Sequence, residues 1–225
     1  MHRRTVLGLL GGAAIGGYFY RDAGASDETP SDRGETGGGG AVNVETEDSS
    51  GGDLDDGGDV SNASDFNADE IEQLFLERFN EMRERERVGS VHRDRFLSEM
   101  GQDHAENMAE HDYIGHVQPD GWGIEDRYRD RGLLPKCELP VDDGSGRYYP
   151  GAENAAGAAV GRVTHPGTDE TFNIRDNDDV AEFLMDSWMS SDGHRAVMVL
   201  PAVQQIGLGV AIRGDGEIFA ALQFC

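Results

Sequence analysis

Lysine is almost missing from this chain. Of 19 basic residues only Lys136 is a lysine and the rest are arginines, set against 44 Asp and Glu. The formal net charge is -25 at pH 7 and the isoelectric point about 4.4. Such an imbalance argues against nucleic acid and anionic membrane surfaces as partners. Carboxylates hold water and ions, whereas long lysine stems would add exposed apolar area. At molar salt the screening length falls to about 3 Å, so the self-repulsion is quenched. The balance is that of a protein from an extremely saline setting. A merely acidic protein with an acidic tail is the alternative, but Asp and Glu also dominate the foldable part.

Cysteine is equally scarce. Cys137 and Cys225 are too few for a disulfide scaffold or a cysteine-based zinc site. They can form one bridge if the protein is exported. That bridge would fasten the last strand to the loop before Glu153, worth about 4 to 5 kcal/mol for so long a loop. Long hydrophobic runs are missing too. The apolar stretch Val6 to Tyr20 is glycine-rich and shorter than the roughly 20 residues that span a bilayer comfortably. No His-Glu-x-x-His pair is present, and no Gly-x-Ser-x-Gly elbow surrounds Ser191.

The chain divides into three parts by composition. Residues 1–25 carry Arg3-Arg4, an apolar stretch and Ala23-Gly24-Ala25, the layout of a twin-arginine export signal or a retained N-terminal anchor. Residues 26–66 are rich in Gly, Ser, Asp and Glu, with Arg33 the only basic residue between positions 22 and 77. They bury too little to offset their ordering entropy and are expected to be a disordered acidic linker. Residues 67–225 form one domain of ordinary size.

Within that domain, Asn67 caps a helix whose apolar stripe is Ile71, Leu74, Phe75, Phe79 and Met82, running to about Arg87. A second helix spans about Arg93 to His111. His104 and His111 share a face of it and read as core or boundary histidines rather than a metal pair. His116 follows in a loop, where binding groups tend to lie. Trp122 to Arg131 is a short helix, and Leu133 to Pro150 is irregular. Gly151 to Ala156 is a short strand or turn, in which Glu153 stands alone among small apolar residues. A carboxylate so placed needs a partner. Ala158 to Ile174 reads as a loop. Asp176 to Asp179 can cap a third helix, Val180 to Met189, which ends near a turn at Gly193 with His194 and Arg195 just beyond. Ile206 to Ile212 and Glu217 to Phe224 form a hairpin that is apolar or small on both faces, hence central. Helices outnumber strands and strands come late. The expected architecture is α/β, a three-layer α/β/α sandwich around a mixed or antiparallel sheet.

Four segments in this order resemble a known family. They are Asn80 and Arg83 on the first helix, Tyr113-Ile114-Gly115-His116, Gly151-Ala152-Glu153-Asn154, and Trp188 to Arg195 followed by Ile206-Gly207-Leu208-Gly209-Val210-Ala211. Their pattern is similar to the CAP superfamily of cysteine-rich secretory, antigen five and pathogenesis-related class one proteins (SCP-like), especially its secreted prokaryotic branch. The resemblance covers about residues 68 to 225 and implies the sandwich with a wide cleft. It also implies a central tetrad of two His and two acids, three of which match His116, Glu153 and His194. Ser191 stands at the fourth position, where eukaryotic members keep a Glu.

Two imidazoles and a carboxylate can bind zinc or another divalent metal, with His116 and His194 as ligands and a position open for water. The same groups can hold a small ligand, form a structural network through Glu153, or act as acid and base with Glu153 as the candidate catalytic residue. The readings are therefore an exported CAP-domain protein binding metal or a small ligand, a metal-dependent hydrolase of peptide or cell-envelope polymer, or a lipid or sterol module. Partners are expected to be a small ligand or cell-surface component, with the membrane touched only through an uncleaved N-terminal segment, and the protein a monomer. Asn80, Arg83, Asn154, Trp188 and Arg195 are expected to be structural, with Arg195 pairing a helix end or carboxylate.

Overall fold

The computed structural model describes residues 63–141, 146–164 and 170–225. The export signal and nearly all of the acidic linker lie outside the described residues. After a short 3-10 helix at Ala63–Asp65, five α-helices are described: α1 (Ala68–Arg85), α2 (Arg95–His111), α3 (Ile124–Asp130), α4 (Asn177–Met189) and α5 (Asp192–Met198). The strands are β1 (His92–Arg93), β2 (Glu138–Pro140), β3 (Tyr148–Pro150), β4 (Ala152–Ala159), β5 (Gly161–Thr164), β6 (Thr171–Ile174), β7 (Gln205–Ile212) and β8 (Glu217–Phe224). No helix among the described residues is long and apolar enough to cross a membrane.

The helix starts follow from side chains that accept the first unpaired amides. Asn67 accepts from Glu70 N, Asp94 from Phe96 N and Leu97 N, and Asp176 from Asp179 N. The main sheet has the order β1-β7-β8-β4, parallel between β1 and β7 and antiparallel elsewhere. The β7–β8 hairpin is central, as its two-sided apolar pattern requires. One face carries Ile206, Leu208, Val210, Ala220, Leu222 and Phe224 into the main core with Phe75, Phe79, Leu184 and Trp188 of α1 and α4. The other face meets α2. Helices thus cover both sides of a mixed sheet, and the α/β/α layering holds.

Glycine sets the distance between α2 and the sheet. A methyl group at Gly207 would collide with the backbone of Leu97 and Ser98, and one at Gly209 with that of Gly101 and Gln102. From the helix side, a methyl on Gly101 would sit 2.7 Å from Ala221 O. The Gly-x-Gly of β7 and the glycine of α2 therefore face each other, backbone against backbone. Beyond its two-residue pairing with β1, the edge of β7 is closed by side chains. Glu72 Oε1 accepts from Leu208 N at 2.9 Å and Gln102 Oε1 from Val210 N at 3.0 Å, which leaves no bare edge at these positions.

Three local expectations are corrected. Residues 158–174 contain the end of β4 and the β5–β6 hairpin, because Val163 and Phe172 pack on the main core. The irregular stretch 133–150 contains the β2–β3 pair, anchored by buried Leu139. The turn at Gly193 is the start of α5, capped by Ser191 in extended conformation. Glycine disfavours a helix there, but burial of Val197 and Met198 against the core outweighs that preference. Cys137 and Cys225 are disulfide-bonded, with a sequence separation of 88 residues.

Candidate binding site

The site is organised by three successive residues of edge strand β4. Side chains alternate across a strand, so Glu153 and Asn154 leave β4 on opposite faces. Glu153 lies in the row Glu153–Gln223–Gly207, whose Gly207 abuts α2. Asn154 lies in the row Asn154–Leu222–Leu208, on the face of the main core. Its Nδ2 donates to His194 O at 3.4 Å, tying β4 to α5. The next carbonyl, Ala155 O, accepts from Trp188 Nε1 of α4 at 3.3 Å.

The Glu153 carboxylate is buried and surrounded by N–H donors. Its Oε1 is 2.8 Å from His116 Nδ1 and 3.4 Å from His104 Nε2. Its Oε2 accepts from Arg127 Nη2 at 2.7 Å and from Gln223 Nε2 at 2.6 Å. Burial alone would raise its pKa. The Arg127 guanidinium, His104, and the hydrogen bonds from His104 and His116 outweigh it and hold Glu153 well below the usual carboxylate range. Glu153 is therefore an ionised anchor rather than a base poised near neutrality.

His116 is set by several elements at once. Arg127, from α3, donates to His116 O at 3.0 Å and to Trp122 O at 3.4 Å, folding the loop over its own side chain. His104, from α2, is 2.8 Å from Gly115 O, the carbonyl just before His116. The His116 side chain keeps 12% exposure, whereas those of His104 and Glu153 are fully buried. His194, on α5, is buried as well. Burial, and then the charge of His116, lowers the His194 pKa from 6.5 to about 4. The His194 imidazole is thus neutral at pH 7 and close enough to His116 to feel its charge.

The structure therefore brings His116 and Glu153 into direct contact and places His194 beside His116. Ser191, at the N-cap of α5, makes no side-chain cap hydrogen bond. Arg195 pairs with Glu86 at 2.7 Å, on the surface. Asn80 makes a reciprocal pair with the Val91 backbone, donating to its carbonyl at 3.1 Å and accepting from its amide at 2.8 Å. Arg83 is buried and donates to Gly89 O, Met198 O, Leu200 O and Val203 O. It is far from being a cleft residue. It collects the carbonyls that follow α5.

A match to the cysteine-rich secretory protein family, CAP, covers residues 76–224. The chain belongs to the CAP family. Among solved structures it is similar to an extracellular protein containing an SCP domain from Bacillus anthracis, at 18% identity and a TM-score of 0.44, over 70% of this chain and 40% of that one. It is also similar to an outer surface protein from Borrelia burgdorferi, at 13% identity and a TM-score of 0.46, over 69% of this chain and 92% of that one. A cysteine-rich secretory protein from Staphylococcus aureus matches at 18% identity and a TM-score of 0.38, over 70% of this chain and 39% of that one. The search of curated proteins gave no match.

Within this CAP domain, sequence reasoning missed His104, Arg127 and Gln223 as members of the Glu153 cluster. Gln223 left one signal: a long amide at an inward position of an otherwise apolar strand. Arg127 sits on a short helix of mixed charge, where nothing in its own segment marks it. As for metal, the described residues contain no group of three or more His, Cys, Asp or Glu that could hold one. Glu153 is already committed to four donors. His116 and His194 are the two imidazoles nearest this cluster besides His104, with Glu153 behind His116 as the orienting carboxylate.

Proposed function

We propose that this is an exported CAP-domain protein, adapted to high salt, that binds a divalent metal such as zinc, or a small polar ligand, between His116 and His194. The observation that supports this is two histidines in different settings, His116 held by a carboxylate and His194 buried. His116 gives its Nδ1 to Glu153 at 2.8 Å, as metal-bound imidazoles commonly do with an outer carboxylate. His194 stays unprotonated at pH 7 because burial opposes its charge, and a neutral imidazole is the form that binds a metal.

A bound metal would supply a Lewis acid and a coordinated water. The protein's own groups orient His116, exclude solvent from Glu153 and His194, and keep the His194 ring unprotonated at pH 7. Glu153, ionised and held by His116, His104, Arg127 and Gln223, is poorly suited to take a proton from a substrate, so no catalytic step is assigned to it.

Calorimetry separates the outcomes. Zinc should release heat on the wild type and none on His116→Ala/His194→Ala. A wild type that takes up neither zinc nor another first-row divalent ion sinks the metal reading. Export rests on Arg3-Arg4, the apolar stretch that follows and the disulfide. Mass spectrometry of the protein recovered outside the cell should find its N-terminus near Ala25, or intact if the segment is an anchor. Recovery only from cytoplasm refutes export.

A further inference from the structure

We propose that the outer edge of β4 at Gly157 and Ala159 receives an extended, neutral or basic peptide, which adds a further strand to the main sheet. The register shows where that edge is. Gln205 and Cys225 exchange both backbone hydrogen bonds, and Arg213 N donates to Glu217 O, so the odd-numbered residues of β8 bond to β7. The even-numbered ones bond to β4, where they face Ala152, Asn154, Ala156 and Ala158. The amides and carbonyls of Glu153, Ala155, Gly157 and Ala159 therefore point away from β8. Trp188 agrees with this parity, since its Nε1 donates to Ala155 O at 3.3 Å. β4 is the last strand on this side of the sheet.

The two margins of the sheet differ. On β7, Glu72 and Gln102 close the outward amides of Leu208 and Val210. On β4, Trp188 closes Ala155 O, and beyond it neither Gly157 nor Ala159 has an outward hydrogen-bond partner among the described residues. The same stretch, Gly157 to Ala159, is partly exposed, whereas Glu153 to Ala156 are buried. It reads Gly-Ala-Ala, without the lysine, proline or other charge that keeps an edge from pairing. Ile114 fills the space where Gly157 would carry a side chain, so one face beside the edge is apolar. A strand laid antiparallel here exchanges a pair of hydrogen bonds with Gly157 and another with Ala159. Charge selects the occupant. Two copies of a chain at -25 repel, which disfavours β4 pairing with itself, and the same charge favours a peptide with lysine or arginine over an acidic one. The inference stands apart from the metal reading, because it uses neither His116 nor His194.

The test uses the full chain, metal-free and 15N-labelled, at the lowest salt that keeps it folded, with acetyl-Lys-Val-Thr-Val-Lys-amide as the probe. In the free protein the Gly157 and Ala159 amides should exchange with solvent faster than those of Asn154 and Ala156, which bond to β8. The probe should shift the Gly157 and Ala159 amide signals and slow their exchange about 10-fold at saturation. Ala159→Pro removes an outward N–H without touching the β8 ladder and should weaken probe binding about 10-fold or more. The same peptide with glutamate at both ends should bind more weakly. Gly157 and Ala159 amides already protected in the free protein overturn the proposal. So do an absence of probe binding at millimolar concentration, shifts that map to another face, and a folded Ala159→Pro that binds within twofold. Equal binding of the acidic peptide overturns the choice of a basic occupant. Protection that rises with protein concentration rather than with probe places a second copy on the edge and also overturns it. If Ala159→Pro does not fold, the wild-type exchange rates with and without probe decide.

Discussion

Glu153 and Gln223 face each other across the β4–β8 ladder, and the Gln223 amide donates to Glu153 Oε2 at 2.6 Å. This cross-strand pair is the floor of the site. Above it sit Arg127 from α3, His104 from α2 and His116 from the loop between those helices. One register shift of β4 would move Glu153 to the opposite face and Asn154 into its place. The Glu153-Asn154 dipeptide therefore works only in this register, with one residue serving each face of the sheet.

His194 makes stability depend on pH. Its folded pKa is about 4 against an ordinary value of 6.5, lowered by burial and then by His116. Between those values the unfolded chain takes up a proton that the folded protein refuses. Stability should therefore be flat above pH 7 and fall as pH drops from 6.5 toward 4. Urea midpoints of the metal-free protein between pH 7 and 5 should show the fall, and His194→Gln should remove most of it. An identical slope in the variant refutes the assignment.

Gly207→Ala should be severely destabilising, because its methyl group would collide with the backbone of α2 and the helix must lift from the sheet. The expected loss is about 2 to 3 kcal/mol. Gly89→Ala meets nothing within 4 Å and should change the unfolding free energy by less than about 0.5 kcal/mol. Equal effects of the two substitutions would contradict the close helix–sheet approach.

Arg83→Met keeps the volume and removes the guanidinium donors to the carbonyls of Gly89, Met198 and Val203, while Leu200 O keeps the Val203 amide. Buried acceptors left without partners cost about 1 to 3 kcal/mol each. A loss of about 3 kcal/mol or more is expected in denaturant unfolding. Zinc uptake by the folded fraction should survive, because Arg83 touches neither imidazole.

Replacing both cysteines by serine should lower stability by about 2 to 5 kcal/mol, since the 88-residue separation between Cys137 and Cys225 is no longer closed. Thermal unfolding with and without reductant on the wild type gives the same comparison. A midpoint that does not move under reduction refutes the bridge's contribution.

Much of the layout was legible from local signals. The stripe Ile71, Phe75, Phe79, Met82 and the caps Asn67 and Asp176 define their helices within a few residues, because helix periodicity and end chemistry are local properties. The strands of β5–β6 and β2–β3 were not legible. Each is three or four residues long, and its stability comes from packing on elements distant in sequence. Helix α5 was read as a turn for the same reason.

The sequence by itself determined the acidic, lysine-poor composition, the glycines that permit close packing, the order of the long helices and the last hairpin, and the presence of His116, Glu153 and His194 in suitable segments. Only the tertiary structure decided what Glu153 is for. Its role depends on four donors from four separate elements: His104, His116, Arg127 and Gln223. His104 and Arg127 are not marked by their own neighbours, because a buried carboxylate is satisfied by whatever the fold delivers to it. The fold delivers enough N–H groups to keep Glu153 ionised and to fix His116 in one orientation.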